Sequence, residues 1–136
     1  MDRALYGADG FYSARGFAGR SGDFLTAVEM GPLFSKLIGR YLDAVWAGLG
    51  RPDTFEVVEV GAGRGTLAAQ LLHQDLMCGS AMRYRCVEIS TSLRAKCAER
   101  VGSDSRVVVA EELPNSVRGV VIANELLDNL PFRLLE

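Results

Sequence analysis

The spacing of apolar residues along this 136-residue chain switches between helical and strand-like periods several times. Leu33, Phe34, Leu37, Ile38, Tyr41, Leu42, Val45, Trp46 and Leu49 recur at three- and four-residue intervals, with Lys36, Arg40 and Asp43 opposite them. That pattern predicts an amphipathic helix, opened by Pro32 at the position where a missing N–H costs nothing and ended by Gly48 and Gly50. Phe55–Val60 is a short apolar, β-branched run and predicts a strand. Three glycines follow, and behind them Leu67, Ala68, Leu71, Leu72 and Leu76 return to the helical period. Met82–Val87 predicts a second strand, and Ser90 caps a helix with Leu93, Cys97 and Val101 on one face. Residues 106–110 and 119–123 predict a third and a fourth strand, and 126–131 a turn or short helix. Strands alternating with helices imply an α/β fold with a mostly parallel sheet and right-handed crossovers.

Residues 1–31 keep neither period. They are rich in glycine and rings, including Tyr6, Phe11, Tyr12, Phe17 and Phe24, and read as a partly ordered segment pinned by its aromatics. The chain thus divides into this N-terminal segment and one domain over 32–136, within the usual length for a single core. Composition adds exclusions. With 49% hydrophobic and 24% charged residues the chain is expected to be globular. A net charge of −2 gives no reason to expect nucleic acid as a partner. No apolar run approaches the roughly 18 residues of a membrane span, and the N-terminus lacks the apolar core of a signal peptide. Cys78, Cys86 and Cys97 form no C-x-x-C pair and read as buried thiols in a reducing compartment, which implies a cytoplasmic protein. His73 has no second ligand type near it, so no metal is expected.

The candidate chemistry lies in the turn Gly61-Ala62-Gly63-Arg64-Gly65, between a strand and a helix. Such a unit points backbone N–H groups and a positive helix end at a ligand. A dinucleotide site wants G-x-G-x-x-G, but Thr66 stands at the third glycine position and Gly65 comes one place early. Glu59, just before the turn, would repel a pyrophosphate and suits a cationic ligand instead. S-adenosylmethionine fits, with its ammonium and sulfonium groups and no phosphate. A nicotinamide site is disfavoured, and a tight turn that binds nothing is the bland alternative.

Further polar candidates fall at predicted strand ends, the edge where open α/β sheets bind ligands. Glu88 closes the second strand, near the spacing of ~20 residues at which such folds hold ribose hydroxyls. Glu111 and Glu112 follow the third strand, where either acid could accept a bond from an adenine amino group. Asn124 and Glu125 close the fourth.

These residues resemble one family in particular. The blocks Gly22-Asp23-Phe24-x-Thr26, Glu29-x-x-Pro32-Leu33-Phe34 and Glu59-Val60-Gly61-Ala62-Gly63-Arg64-Gly65-Thr66-Leu67 are similar to the MidA-like class I methyltransferases. So are Tyr84-x-x-Val87-Glu88-x-Ser90-x-x-Leu93-Arg94 and the run from Ala123 to Pro131. The resemblance implies a Rossmann-like class I fold with strand order 3-2-1-4 in its N-terminal half, and a chain that is a fragment, stopping after the fourth strand. It implies S-adenosylmethionine held by the Gly61–Gly65 turn, with Asn124 near the methionine moiety and Asp23 and Phe24 folding over the cofactor. It implies a protein arginine acceptor, a respiratory complex I subunit in mitochondrial members, and hence the mitochondrial matrix in a eukaryote. Glu125 and Asp128 are the acids expected to hold the acceptor guanidinium in catalysis. A non-catalytic assembly factor that keeps the fold as scaffold is the alternative.

Overall fold

The computed structural model describes residues 7, 27–28, 31–127 and 130. Helix α1 (Pro32–Gly48) precedes strand β1 (Phe55–Val60), and then come α2 (Thr66–Leu72), β2 (Met82–Val87), α3 (Thr91–Val101), β3 (Val107–Ala110) and β4 (Gly119–Ile122). The four strands form one sheet in the order β3-β2-β1-β4, and every neighbouring pair is parallel. That is the expected 3-2-1-4 order. A strand that must run parallel to its predecessor needs a crossover, and α2 and α3 supply it.

Register places alternate residues together on one face of the sheet. Val57 pairs with Tyr84 and Val120, Glu59 with Cys86 and Ile122, and Tyr84 and Cys86 with Val107 and Val109. This face carries the core, packed with Leu42 of α1, Leu67, Ala68 and Leu71 of α2 and Cys97 of α3. Val108 and Val121 lie on the other face and are about half exposed.

The elements begin and end for local reasons. Pro32 occupies the first turn of α1, and Gly50 (φ 82°) and Arg51 (φ 57°) reverse the chain after it, with the Arg51 amide donating to Trp46 O at 3.0 Å. Ser90 caps α3 as expected, its hydroxyl accepting from the Leu93 amide at 3.4 Å.

Helix α2 is shorter than the apolar spacing out to Leu76 predicts. After Leu72 the Gln74 amide donates to Leu71 O, and the Gln74 side chain donates to Gln70 O, so the helical ladder is capped early. The following loop docks on α1. Gly39 lets Gln74 and Leu76 approach, since a Cβ there would lie 2.6 Å from Gln74 Oε1, and the Cys78 amide donates to Asp43 at 2.9 Å. Arg106, expected to open β3, instead clamps its entrance. Its guanidinium donates to Asp104 (2.7 Å), Leu72 O (3.1 Å) and Gly79 O (3.3 Å), tying β3 to the end of α2.

Two outcomes are expected. At Gly119 a Cβ would collide with the backbone oxygen of Glu56 on β1, so Gly119→Ala should lower unfolding stability by about 3 kcal/mol in urea titration. Gly48→Ala, where a Cβ meets nothing within 4 Å, should not. The Arg106 guanidinium holds the Asp104 carboxyl down at about 2, below its ordinary 3.8. A depressed acid contributes stability that is complete above its unfolded value and lost as pH falls through the folded one. Thermal melts between pH 4 and 2 should therefore fall less steeply in Asp104→Asn than in the parent.

Candidate functional site

The turn after β1 holds three residues in the left-handed region: Gly61 (φ 73°), Gly63 (φ 56°) and Gly65 (φ 71°). Residues with a Cβ rarely adopt this conformation, so the run of alternating glycines is a backbone requirement. The three differ in what a side chain would meet. A Cβ at Gly61 would sit 2.8 Å from Leu126 Cδ1, and one at Gly65 would sit 2.7 Å from Cys97 Sγ. At Gly63 it would meet nothing within 4 Å. Packing therefore closes both ends of the turn and leaves its middle open. That leaves room for a ligand to approach the bare backbone closely, and it fits the adenosyl ligand the sequence suggests. The amides themselves are held within the protein, Gly61 and Ala62 donating to Val87 O and Gly65 to Ala62 O. Gly65, not a glycine at position 66, gives the close approach, and the partner it admits is α3. Thr66 is simply the first residue of α2.

Glu88 reaches this turn from the end of β2. Its carboxylate is buried and accepts from the Gly63 amide at 2.9 Å and the Ser90 amide at 2.8 Å. Arg94 of α3 holds the same corner, donating to the backbone oxygens of Glu88 (2.7 Å) and Ile89 (3.0 Å) and pairing with Glu111 at 3.0 Å. The ends of β2 and β3 are thereby joined on one rim. Beside them, Arg85, Ala110, Glu111, Glu112, Leu113 and Pro114 line an open groove of about 480 Å³.

Glu59 is placed differently. Its position on β1 belongs to the inner face, and its side chain lies beneath the turn, 6% exposed. It accepts from the Tyr84 hydroxyl at 2.8 Å and from the backbone amide of Ala68 in the first turn of α2. Burial raises the carboxyl from 4.5 to about 7 despite both bonds. Each bond to a charged acceptor contributes about 1.5–3 kcal/mol, while desolvating a carboxylate costs several, so desolvation wins. Glu59 thus puts its charge below the turn and supports α2 at the same time.

On the far side of the rim, Asn124 and Glu125 follow β4. Glu125 is exposed and takes a left-handed backbone (φ 50°), uncommon for a residue with a side chain. Its carboxylate accepts from the Ala27 amide at 3.1 Å, and Val28, next in the chain, joins the core. Asp23, Phe24 and Asp128 lie outside the described residues, as does most of the 1–31 segment. The structure therefore brings Gly61, Ala62, Gly63, Gly65, Glu59 and Glu88 together, sets Glu111 and Glu112 along the adjacent rim, and puts Asn124 and Glu125 at the end of β4.

Three supporting residues had no role in the sequence reading: Arg94, Leu126 and Tyr84. All three sit in motif blocks, but a buried hydroxyl, a corner-bridging guanidinium or a leucine seated over a glycine has no periodic signature. The three cysteines are buried and free. Cys86 of β2 and Cys97 of α3 hydrogen-bond to each other, and burial helps push the Cys86 thiol upward. Among the described residues no group of three His, Cys, Asp or Glu is placed to hold a metal ion, and no helix is long and apolar enough to cross a membrane.

Residues 37–136 match the model of a family described as S-adenosyl-L-methionine-dependent methyltransferases. The Mus musculus mitochondrial protein arginine methyltransferase NDUFAF7 is 30% identical over 105 residues, which cover 77% of this chain and 23% of that protein. Its Drosophila melanogaster homolog is 44% identical over 63 residues, covering 46% of this chain and 14% of the relative. A crystal structure of a superfamily member from Burkholderia thailandensis bound to S-adenosyl-homocysteine aligns over 93% of this chain and 35% of its own, with a TM-score of 0.73 and 35% identity. The chain spans less than a quarter of the length of these two curated relatives and about a third of the solved chain.

Gly65→Ala is expected to lower stability by about 2–4 kcal/mol, combining left-handed strain with the overlap on Cys97. Because the overlap falls on a side-chain tip, adding Cys97→Ala should recover part of that loss. A double-mutant cycle in urea would read the non-additivity, and strict additivity would remove the contact from the account.

Proposed function

The chain belongs to the family of S-adenosyl-L-methionine-dependent methyltransferases whose model it matches over residues 37–136, and on that premise we propose that it carries the cofactor-binding half of a protein arginine methyltransferase. The supporting observation is the turn itself: three left-handed glycines with open space above Gly63 and two buried acids at its back. The names of the mitochondrial relatives support the arginine acceptor, and the Burkholderia thailandensis structure supports the adenosyl ligand.

In this reading the bare backbone of the Gly61–Gly65 turn, with Ala62, lies against the cofactor, while the amides of Gly61, Ala62, Gly63 and Gly65 keep their bonds within the protein. Glu88 holds its ribose hydroxyls, since a carboxylate accepts strongly from two O–H donors at once. Glu111 or Glu112 accepts from the adenine amino group, Asn124 lines the methionine end, and Glu59 supplies negative charge from beneath. When bound, S-adenosylmethionine supplies a methyl group already activated by its sulfonium for in-line displacement.

The chain's own task is alignment and exclusion of water. Glu125 and Asp128 hold the acceptor guanidinium by bidentate bonds, because that group keeps its proton at neutral pH and must be oriented as a cation. The acceptor is an arginine-bearing protein, a respiratory complex I subunit among the candidates. The compartment is the mitochondrial matrix in a eukaryote and the cytoplasm otherwise. The scaffold alternative is not favoured, since the relatives carry the names of methyltransferases.

Calorimetry with S-adenosylmethionine and a methyl-transfer assay on arginine-bearing proteins test this reading on the full chain. Gly63→Val should abolish cofactor binding. Because Gly63 holds φ 56° the substitution also costs at least about 1–2 kcal/mol, so binding is compared on samples that urea titration shows to be folded. Glu125→Gln should leave cofactor affinity unchanged and reduce transfer about 100-fold, the order expected when a reactant is misplaced by an ångström. Cofactor binding by the parent with no transfer to any arginine would favour the scaffold. No binding at all would end the proposal.

A further inference from the structure

We infer that Tyr84 is a positioning residue for the cofactor turn: its hydroxyl holds the Glu59 carboxylate, which in turn holds the first turn of α2 behind Gly61–Gly65. The inference rests on the turn receiving S-adenosylmethionine.

Tyr84 sits in the middle of β2, pairs with Val57 on β1 and Val107 on β3, and is 1% exposed. A tyrosine so deep in an apolar core needs a partner for its hydroxyl. It finds Glu59 at 2.8 Å, at the last inward-facing position of β1 before the glycines. Glu59 also accepts from the Ala68 amide, one of the donors at the start of α2 that have no partner within the helix. One buried acid therefore joins the middle of β2, the end of β1 and the start of α2, and the turn that spans the last two can move only if this junction moves. A phenylalanine at position 84 would fill the same space. The hydroxyl is therefore what the junction uses.

The junction is sensitive to protonation. Glu59 is raised to about 7, and the titratable groups facing it are Tyr84 and Cys86 on β2, Cys97 on α3 and Glu88 at the end of β2. An ionised Glu59 is the stronger acceptor for both of its donors and puts a negative charge under a cationic ligand. A neutral one weakens both. Cofactor affinity should therefore rise with pH across a midpoint near 7. Tyr84 sharpens this, because its bond favours the ionised acid and holds the midpoint down.

Unliganded stability runs the other way. A raised acid leaves stability complete below its unfolded value of 4.5 and loses it as pH rises through the folded value near 7. The folded chain should become less stable between those limits and level off above them.

The experiment uses the full chain as parent, Tyr84→Phe and Glu59→Gln. Binding of S-adenosylmethionine is titrated from pH 5.5 to 8.5, and urea unfolding without ligand is followed over pH 4.5–8.5. The parent should gain about tenfold in affinity across the midpoint, the change one unit of linked pKa produces. In Tyr84→Phe the midpoint should move to higher pH, affinity at pH 7.5 should drop about tenfold, and the decline in stability should extend to higher pH. Glu59→Gln should abolish both pH steps. A merely structural Tyr84 would change the unfolding midpoint and leave the affinity of folded protein and its pH midpoint where they were. That result overturns the inference while the cofactor reading stands. Absence of binding in the parent overturns both.

Discussion

The organisation of this chain depends on how closely backbone can approach backbone and side chain at one reversal, residues 61–65. Helix α3 comes down onto Gly65 until Cys97 Sγ occupies the space a Cβ would need, and Leu126 does the same over Gly61. Those two contacts hold the segments that follow β2 and β4 against the end of β1. Had either glycine carried a side chain, α3 or the segment after β4 would have to withdraw. The strand ends carrying Glu88 and Asn124 would separate with it. The middle glycine takes no part in packing. Tight contacts on either side of an open position turn a fold requirement into a binding surface.

Beneath that reversal the core is less apolar than its neighbours suggest. The inner face of β1 and β2 presents Phe55, Val57, Met82 and Cys86, and between them Tyr84 and Glu59 are almost as inaccessible. A buried carboxylate is costly, and replacing such pairs by well-packed apolar groups often stabilises a protein. What Glu59 obtains there is a fixed acceptor for one of α2's unpartnered amides and a negative potential under the ligand surface. The destabilisation is of the kind that functional sites carry, and it is offset by the surrounding apolar packing.

Rim polarity has a separate origin. Arg94 bonds the carbonyls of Glu88 and Ile89 and reaches Glu111, so one guanidinium sets the distance between the ends of β2 and β3. The planar fork allows this, and a lysine in its place could not make the same set of bonds. Only one face of the sheet is closed by the described helices. Val108 and Val121 on the other face are half exposed, and β4 forms one edge of the described sheet.

Much was legible from the chain itself. Period and punctuation located β2 to the residue, α1 within one, the Ser90 cap and the parallel character of the sheet, because these follow from local preference and from the short menu of crossover topologies, whereas the strand order came from the family resemblance. The residue types around the glycines named the ligand class. Other features were decided only when distant segments met. Where α2 stops depends on a loop that docks on Gly39 and Asp43, and where β3 starts depends on what Arg106 can reach. The sequence put Glu59 next to the turn, but whether its carboxylate faces the rim or the core is set by strand register and by a hydroxyl on another strand. A linear pattern records which residues alternate. It does not record how deeply a side chain is buried or which partner lies opposite, and for Glu59 burial sets the charge first and the Tyr84 hydroxyl moderates it.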